Sequence, residues 1–252
     1  MDLGLNNKNV LITGGTKGIG KAIAEVFSNN GSNVIITGRK SEDLILSCDE
    51  IFNLTNTQVK GIVVDLYDKG ACEYLFKEAM DQLGSIDILI NNAGVWPTSY
   101  IKDMQEEDFE KTLYLNLEVP FILSKLFTNY RIDNSIRGKI ININSQAAFN
   151  GSTTGHAHYA ASKGGLVAFM ISLAREVAQY GINVNSIAPG LVRTPMLEEN
   201  YLKNKEYYDN RVPIGRIAEP MDIAKIALFL GSNLSDYMTG TTIDATGGML
   251  MR

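Results

Sequence analysis

Histidine, cysteine and tryptophan are scarce in this 252-residue chain: two, two and one. With only Cys48 and Cys72, both in helix-like segments, no disulfide framework can form, and a reducing cytoplasm is the expected location. His156 and His158 stand two residues apart before a helix-like stretch, with no cysteine or carboxylate cluster beside them, so no metal site is expected. Positive charge is not in excess either. The 23 Lys and Arg against 28 Asp and Glu leave a formal charge of −5, which offers a polyanion no basic surface, so nucleic acid is not an expected partner. No apolar run approaches the ~18 residues of a membrane span, and Met1-Asp2-Leu3-Gly4-Leu5-Asn6-Asn7 lacks a charged-then-apolar leader. Six prolines and no low-complexity tract leave a chain that is 45% apolar, enough for a packed core.

What the chain has is alternation. Strand-like runs fall at 9–13, 33–37, 58–64, 86–90, 139–144, 182–188 and 241–245, with helix-like segments at 18–30, 41–55, 69–83, 106–133, 157–180 and 220–231. Runs such as Val34-Ile35-Ile36 and Ile62-Val63-Val64 are apolar throughout, as strands of a parallel sheet buried on both faces are. The expected fold is α/β: a Rossmann-type doubly wound parallel sheet of about seven strands flanked by helices. No linker or composition break divides residues 1–252, so one domain is expected. Ligands of such a sheet lie beyond the carboxyl ends of the strands, where Gly14, Gly38, Asp65, Asn91, Ser145 and Pro189 fall. Two helices, one around Leu117 and one around Phe169, are apolar almost all round. One sheet face cannot cover both sides of a helix, so part of each is expected to meet another subunit.

Two local patterns carry chemistry. After the strand Asn9-Val10-Leu11-Ile12-Thr13 comes Gly14-Gly15-Thr16-Lys17-Gly18-Ile19-Gly20, and then an amphipathic helix. Strand, glycine turn and helix N-terminus form a cradle for a diphosphate, with close backbone approach and free N–H groups facing the anion. Further on, Tyr159 and Lys163 stand at i, i+4 at the start of a long apolar helix, about fourteen residues after the strand-end Ser145, and so share one helix face. An ammonium beside a phenol favours the phenolate and lowers a pKa that starts near ~10, which lets the tyrosine exchange protons with a carbonyl or alcohol oxygen. Tyr201 and Lys205 repeat the spacing in a polar stretch and read as solvated surface.

Thr13 through Gly20, Asn91-Asn92-Ala93-Gly94, Asn116, Ser145, Tyr159-x-x-x-Lys163 and Pro189-Gly190 occur in the order seen in short-chain dehydrogenases/reductases. The chain resembles that family over essentially its whole length, and most resembles the bacterial 3-oxoacyl carrier-protein reductases. The resemblance implies an NAD(P)-dependent oxidoreductase in which Tyr159 is the general acid and Lys163 tunes it and binds the nicotinamide ribose. Ser145 then holds the substrate oxygen, and Asn116 a water linking Lys163 to solvent. It implies a cofactor site of Gly14, Thr16, Lys17, Gly18, Ile19, Gly20, Asp65, Leu66, Asn91, Ala93, Gly94, Pro189, Gly190, Val192 and Thr194 together with Tyr159 and Lys163. It also implies a lid near 191–211 and a homotetramer.

Glycine stands at position 38, where NAD-binding chains place an acid for the ribose 2′-OH. Arg39 follows it, and Lys17 lies in the glycine loop; both suit a 2′-phosphate, so NADP(H) is preferred. The alternative is that Arg39 and Lys40 are solvated charges. Trp96, Gln146, Leu191 and Met196 are the expected substrate contacts. The aromatic surroundings suit a partly apolar ketone or alcohol. A 3-oxoacyl thioester is the first expectation, with a sugar, polyol or steroid as the alternative, and a non-catalytic NADP(H) sensor as a reading of another class. Carrier-protein reductases usually have basic residues just before the fifth strand and just after the catalytic helix. Ile136 and Tyr180 stand there, although Arg131, Arg137 and Lys139 lie close by, which puts docking of an acyl carrier protein in doubt.

Overall fold

Seven short strands, all parallel, carry the molecule: β1 (Asn9–Ile12), β2 (Asn33–Gly38), β3 (Lys60–Val63), β4 (Ile88–Asn91), β5 (Gly138–Ile143), β6 (Ile182–Pro189) and β7 (Thr242–Ala245). The computed structural model describes residues 2–251, apart from the side chains of residues 196, 199 and 200. The sheet order is β3-β2-β1-β4-β5-β6-β7. The chain winds outward from β1 to β3, then returns to lay β4 against the other side of β1. At that reversal the loops after β1 and β4 leave toward opposite faces, and a crevice opens between them.

Period-two alternation feeds two cores. Val10, Ile12, Val34 and Ile36 join one with Ile23 and Phe27 of α1 (Gly18–Asn29), Ile51 of α2 (Ser41–Thr55) and Ile223 of α10 (Pro220–Gly231). Leu11 and Ile35 join the other with Leu75 of α3 (Ala71–Leu83), Phe127 of α5 (Val119–Asp133) and Met170 of α7 (Ala157–Val177). The edge strand β3 departs from the expected two-sided burial. Lys60, Gly61 and Val63 are exposed although Ile62 is buried, because no strand lies beyond β3 at this edge of the sheet.

The segment expected as one helix over 106–133 is three pieces. It starts as α4 (Glu106–Leu113), where Glu106, Glu107 and Asp108 complement the helix dipole. It then widens into a π turn at Tyr114–Glu118, with the Val119 N–H donating to the Tyr114 carbonyl five residues back, before continuing as α5. Pro120 supplies the reason: it has no N–H to give the carbonyl of Asn116 four residues earlier. Three short helices were not anticipated: α6 (Ala147–Asn150), and α8 (Pro195–Lys203) and α9 (Lys205–Asp209) within the lid. On the outer side of α5 and α7, Phe121 meets Phe169 edge-on at 5.8 Å yet stays 43% exposed. No helix among the described residues is long and apolar enough to cross a membrane.

Candidate active site

The loop after β1 is held in a shape that only small residues permit. Gly14 and Gly18 have φ of +67° and +56°. A Cβ on Gly20 would lie 2.3 Å from the Gly14 carbonyl oxygen, and one on Gly15 would lie 2.5 Å from Ile36. Asn92 locks the loop: its Nδ2 donates to the carbonyls of Thr13 and Gly14, both at 2.9 Å. In return Thr13 Oγ1 accepts the N–H groups of Asn92 and Ala93 at 3.0 Å. The motif around Asn92 was visible in the sequence; its role as the clamp joining β1 to β4 was not. Its neighbour Asn91, expected at the cofactor, is instead buried in the sheet, donating to Ser124 Oγ at 3.2 Å and Asn142 Oδ1 at 2.9 Å. Alternation along β4 turns consecutive asparagines to opposite sides.

The loop opens into a cleft of about 1030 Å³. Its walls include Gly14, Thr16, Lys17, Gly18, Ile19, Gly20, Arg39, Asp65, Leu66, Ala93, Gly94, Pro189, Gly190, Val192 and Thr194, as expected, and also Lys40. Lys17, Arg39 and Lys40 are exposed at the end beside β2; no carboxylate lies within ion-pair distance of them among the described residues. A dinucleotide fits this cradle on two observations: backbone where a Cβ would clash, and three uncommitted cations at the end where a ribose phosphate would lie. Gly38 is closely packed, with a Cβ there meeting Thr16 Cγ2 at 2.5 Å and Leu44 Cγ at 3.1 Å.

At the other end Tyr159, Lys163 and Ser145 converge. Lys163 is buried with its Nζ donating to the Ile143 carbonyl at 2.8 Å, and burial pushes its pKa down to about 8. The ammonium sits 5.9 Å from the centre of the Tyr159 ring. Tyr159 keeps some surface toward the cleft, but protein packed round the phenol raises its pKa above the usual tyrosine value, opposed by a hydrogen bond with Ser145. Burial and the Ser145 hydrogen bond set the shift, and the expected lowering by Lys163 is not seen. A phenol that keeps its proton at neutral pH is the form that can donate one. Asn116 lies behind the cleft wall, fully buried. Its Oδ1 accepts the Val95 N–H at 2.9 Å, and its Nδ2 donates to the Val95 carbonyl at 3.0 Å and Ser162 Oγ at 3.1 Å. The side chain is a clamp on the loop after β4, and the π turn is what presents it.

Trp96, Gln146 and Leu191 line the substrate end. The side chain of Met196, the fourth expected contact, lies outside the described residues. Trp96 stacks on His156 at 4.2 Å and meets the Tyr159 ring edge-on at 6.5 Å, while His156 Nδ1 hydrogen-bonds to the Pro97 carbonyl at 2.8 Å. The lid has its own apolar base of Leu197, Tyr201, Val212 and Ile217. Tyr201 is thus not solvated surface. It is 6% exposed, its hydroxyl donates to Asp209, and Lys205 lies over its ring at 5.7 Å. The i, i+4 spacing is the same as at Tyr159, but the partners are structural. Of the cations near the expected carrier-protein surface, Arg131 is buried against the Ile86 carbonyl and Asp87, and Lys139 is taken up by the Ser232 carbonyl and Asp236. Arg137 is exposed.

The family described as short chain dehydrogenase matches residues 8–205. The chain is 36% identical to a 3-oxoacyl-[acyl-carrier-protein] reductase of Aquifex aeolicus, covering 99% of this chain and all of that one. It is 35% identical to a (2S)-[(R)-hydroxy(phenyl)methyl]succinyl-CoA dehydrogenase subunit of Thauera aromatica, covering 98% of each. Among solved structures, a short-chain type dehydrogenase/reductase from Mycobacterium marinum superposes with a TM-score of 0.91 at 29% identity, covering 98% and 97% of the two chains.

Proposed function

The chain belongs to the short chain dehydrogenase family and is a nicotinamide-dependent oxidoreductase of CH–OH and C=O groups; from that premise we propose that it reduces a ketone with NADPH. The observation that carries this reading is one cleft with a glycine cradle and three cations that are unpaired among the described residues at one end, and Tyr159, Ser145 and Lys163 at the other. NADPH, when bound, supplies the hydride. Ser145 and Tyr159 bind the carbonyl oxygen, and the phenol donates its proton as negative charge develops there. Lys163 would hold the cofactor ribose, and its ammonium, 5.9 Å from the Tyr159 ring centre, would stabilise the phenolate left behind. Asn116 fixes the backbone at Val95, beside Trp96.

A 3-oxoacyl thioester is the preferred substrate, on the strength of the carrier-protein reductase relatives. The commitment of Arg131 and Lys139 to internal partners favours a thioester that needs no acidic carrier protein, such as the CoA thioester named for the Thauera relative. A free sugar, polyol or steroid is the alternative. We further propose a cytoplasmic homotetramer, for which the half-exposed Phe121–Phe169 face and the edge strand β7 provide two separate contact surfaces.

The test is oxidation of NADPH and NADH against a panel of 3-oxoacyl thioesters, sugars and steroids. Tyr159→Phe is expected to lower turnover by about 10²- to 10⁴-fold while NADPH binding stays near wild type. Turnover within a few-fold of wild type removes Tyr159 from the mechanism, and a chain that binds NADPH without oxidising it against any substrate is a sensor.

A further inference from the structure

The lid contains several cations, and most are neutralised. Arg193 pairs with Glu198 at 2.9 Å, Lys205 with Asp209, and Arg216 with Asp222 at 2.6 Å. Arg211 differs. It lines the cleft beside Tyr207, Tyr208 and Met249, and no carboxylate lies within ion-pair distance of it among the described residues. Its Nη1 donates to the Tyr207 hydroxyl at 3.2 Å, and its guanidinium lies 5.4 Å from the centre of that ring. The nearest acid in sequence, Asp209, is already held by Lys205, Tyr201 and the Ile217 N–H. Val212, next in the chain, is buried in the apolar base of the lid, so the arginine projects from a fixed point.

The rest of the lining sharpens the asymmetry. Among the described residues the lining carboxylates are Asp43 and Asp65, both on the β2–β3 side, Asp43 in the first turn of α2 and Asp65 just after β3. Among the described residues, the side near Tyr159 and the lid has aromatic, apolar, hydroxyl and amide groups, the buried Lys163 ammonium beside Tyr159, and the Arg211 guanidinium. In a chain of net charge −5, an anionic substrate meets an overall repulsive field, and an uncommitted arginine in the cleft reverses it locally. A guanidinium fork beside a phenol hydroxyl offers several N–H and O–H donors to one carboxylate or phosphate.

We propose that Arg211, with Tyr207, is a specificity determinant that binds an anionic group on the substrate, carboxylate or phosphate, separate from the oxygen held by Tyr159 and Ser145. The assignment rests on the ketone-reductase reading and narrows its substrate class to ketones with a second, charged end.

Matched pairs test it: acetoacetate against its methyl ester, and dihydroxyacetone phosphate against hydroxyacetone. Trp96 is the sole tryptophan and lines the same cleft, so its fluorescence reads binding with or without turnover. The intact protein saturated with NADPH is expected to bind the charged member of at least one pair about 10- to 100-fold more tightly than the neutral one. Which pair responds distinguishes carboxylate from phosphate. Arg211→Gln removes that preference by raising KM for the charged ketone far more than for the neutral one, and Arg211→Lys restores part of it. Equal affinity for charged and neutral members in the wild type overturns the proposal, as does a preference that survives Arg211→Gln. Preferential binding with no reduction of any ketone upholds Arg211 and overturns the reductase reading instead.

Discussion

Lys163 is expensive to keep. A buried lysine whose pKa falls from 10.5 to about 8 gives up about 3 kcal/mol of native stability at neutral pH, at roughly 1.36 kcal/mol per unit. Removing it leaves the Ile143 carbonyl without its donor, which costs about 1–3 kcal/mol. Lys163→Met is therefore expected to abolish turnover yet unfold at the same or a higher denaturant concentration than wild type. The pH dependence has a definite sign. Below about 8 the native and unfolded chains both hold the proton, and the penalty is complete. From there to about 10.5 the unfolded chain binds a proton that the native one has released, so stability rises with pH. Denaturant titrations are expected to show wild type gaining on the variant across that window; a constant difference excludes a buried, titrating Lys163. Coenzyme choice is also a residue-scale matter. Gly38→Asp alone meets Thr16, so the expected switch toward NADH needs Thr16→Ala and Arg39→Ala beside it, read as the ratio of kcat/KM for the two coenzymes. Residue types and spacing made Tyr159, Lys163 and Ser145 legible beforehand. Context separated Tyr159 from Tyr201, but a polar stretch does not reveal that the fold buries Tyr201 and gives it Asp209 and Lys205 as partners. The resemblance put Asn91 at the cofactor, whereas the structure turns its side chain into the sheet, and a doubled asparagine does not say which copy faces the cleft.

At the scale of elements, strands were more readable than helices. Apolar runs bounded by glycine and polar residues mark a buried parallel strand closely, and all seven lie where the pattern put them, shifted at their ends by up to two residues. Helix periodicity over 106–133 was also real, but it is blind to the register change at 114–118, whose only local signal is Pro120. That change is functional in position. The Asn116 side chain it presents satisfies both backbone groups of Val95, which then carry Trp96 into the cleft. Asn116→Ala strands the part-buried N–H and carbonyl of Val95, and a loss of about 1–3 kcal/mol is expected in chemical denaturation. The loop 93–98 is expected to exchange its amides faster, with Trp96 fluorescence shifting toward that of a solvated indole. A variant as stable as wild type shows that the clamp is dispensable.

At the scale of the molecule, fold class followed from the alternation of strand and helix, and the place of the cleft from the strand order. Assembly is written less plainly, since sequence hydrophobicity reports that a helix face is apolar but not what covers it. Phe121 and Phe169 leave such a face half covered. Phe169→Glu places a charge in a dry contact, and light scattering is expected to resolve a tetramer in the wild type and smaller species in the variant. A wild-type monomer at micromolar concentration refutes the assembly.

The strand order has a consequence for how the chain comes into being. β1 is the third strand across the sheet, and the partner that closes its second side, β4, is made 78 residues later, as the pairing of Val10 with Ile88, Leu11 with Leu89 and Ile12 with Ile90 requires. Until Ile88 leaves the ribosome, the nascent β1-β2-β3 unit carries an unpaired edge of Val10, Leu11 and Ile12, apolar throughout. The Asn92 bonds that shape the glycine loop cannot form before then either. Cradle and sheet centre thus close in one late, long-range step, which makes folding slow for a chain this size. An N-terminal fragment ending before β4 has neither a finished phosphate cradle nor a protected edge, and self-association is its natural fate.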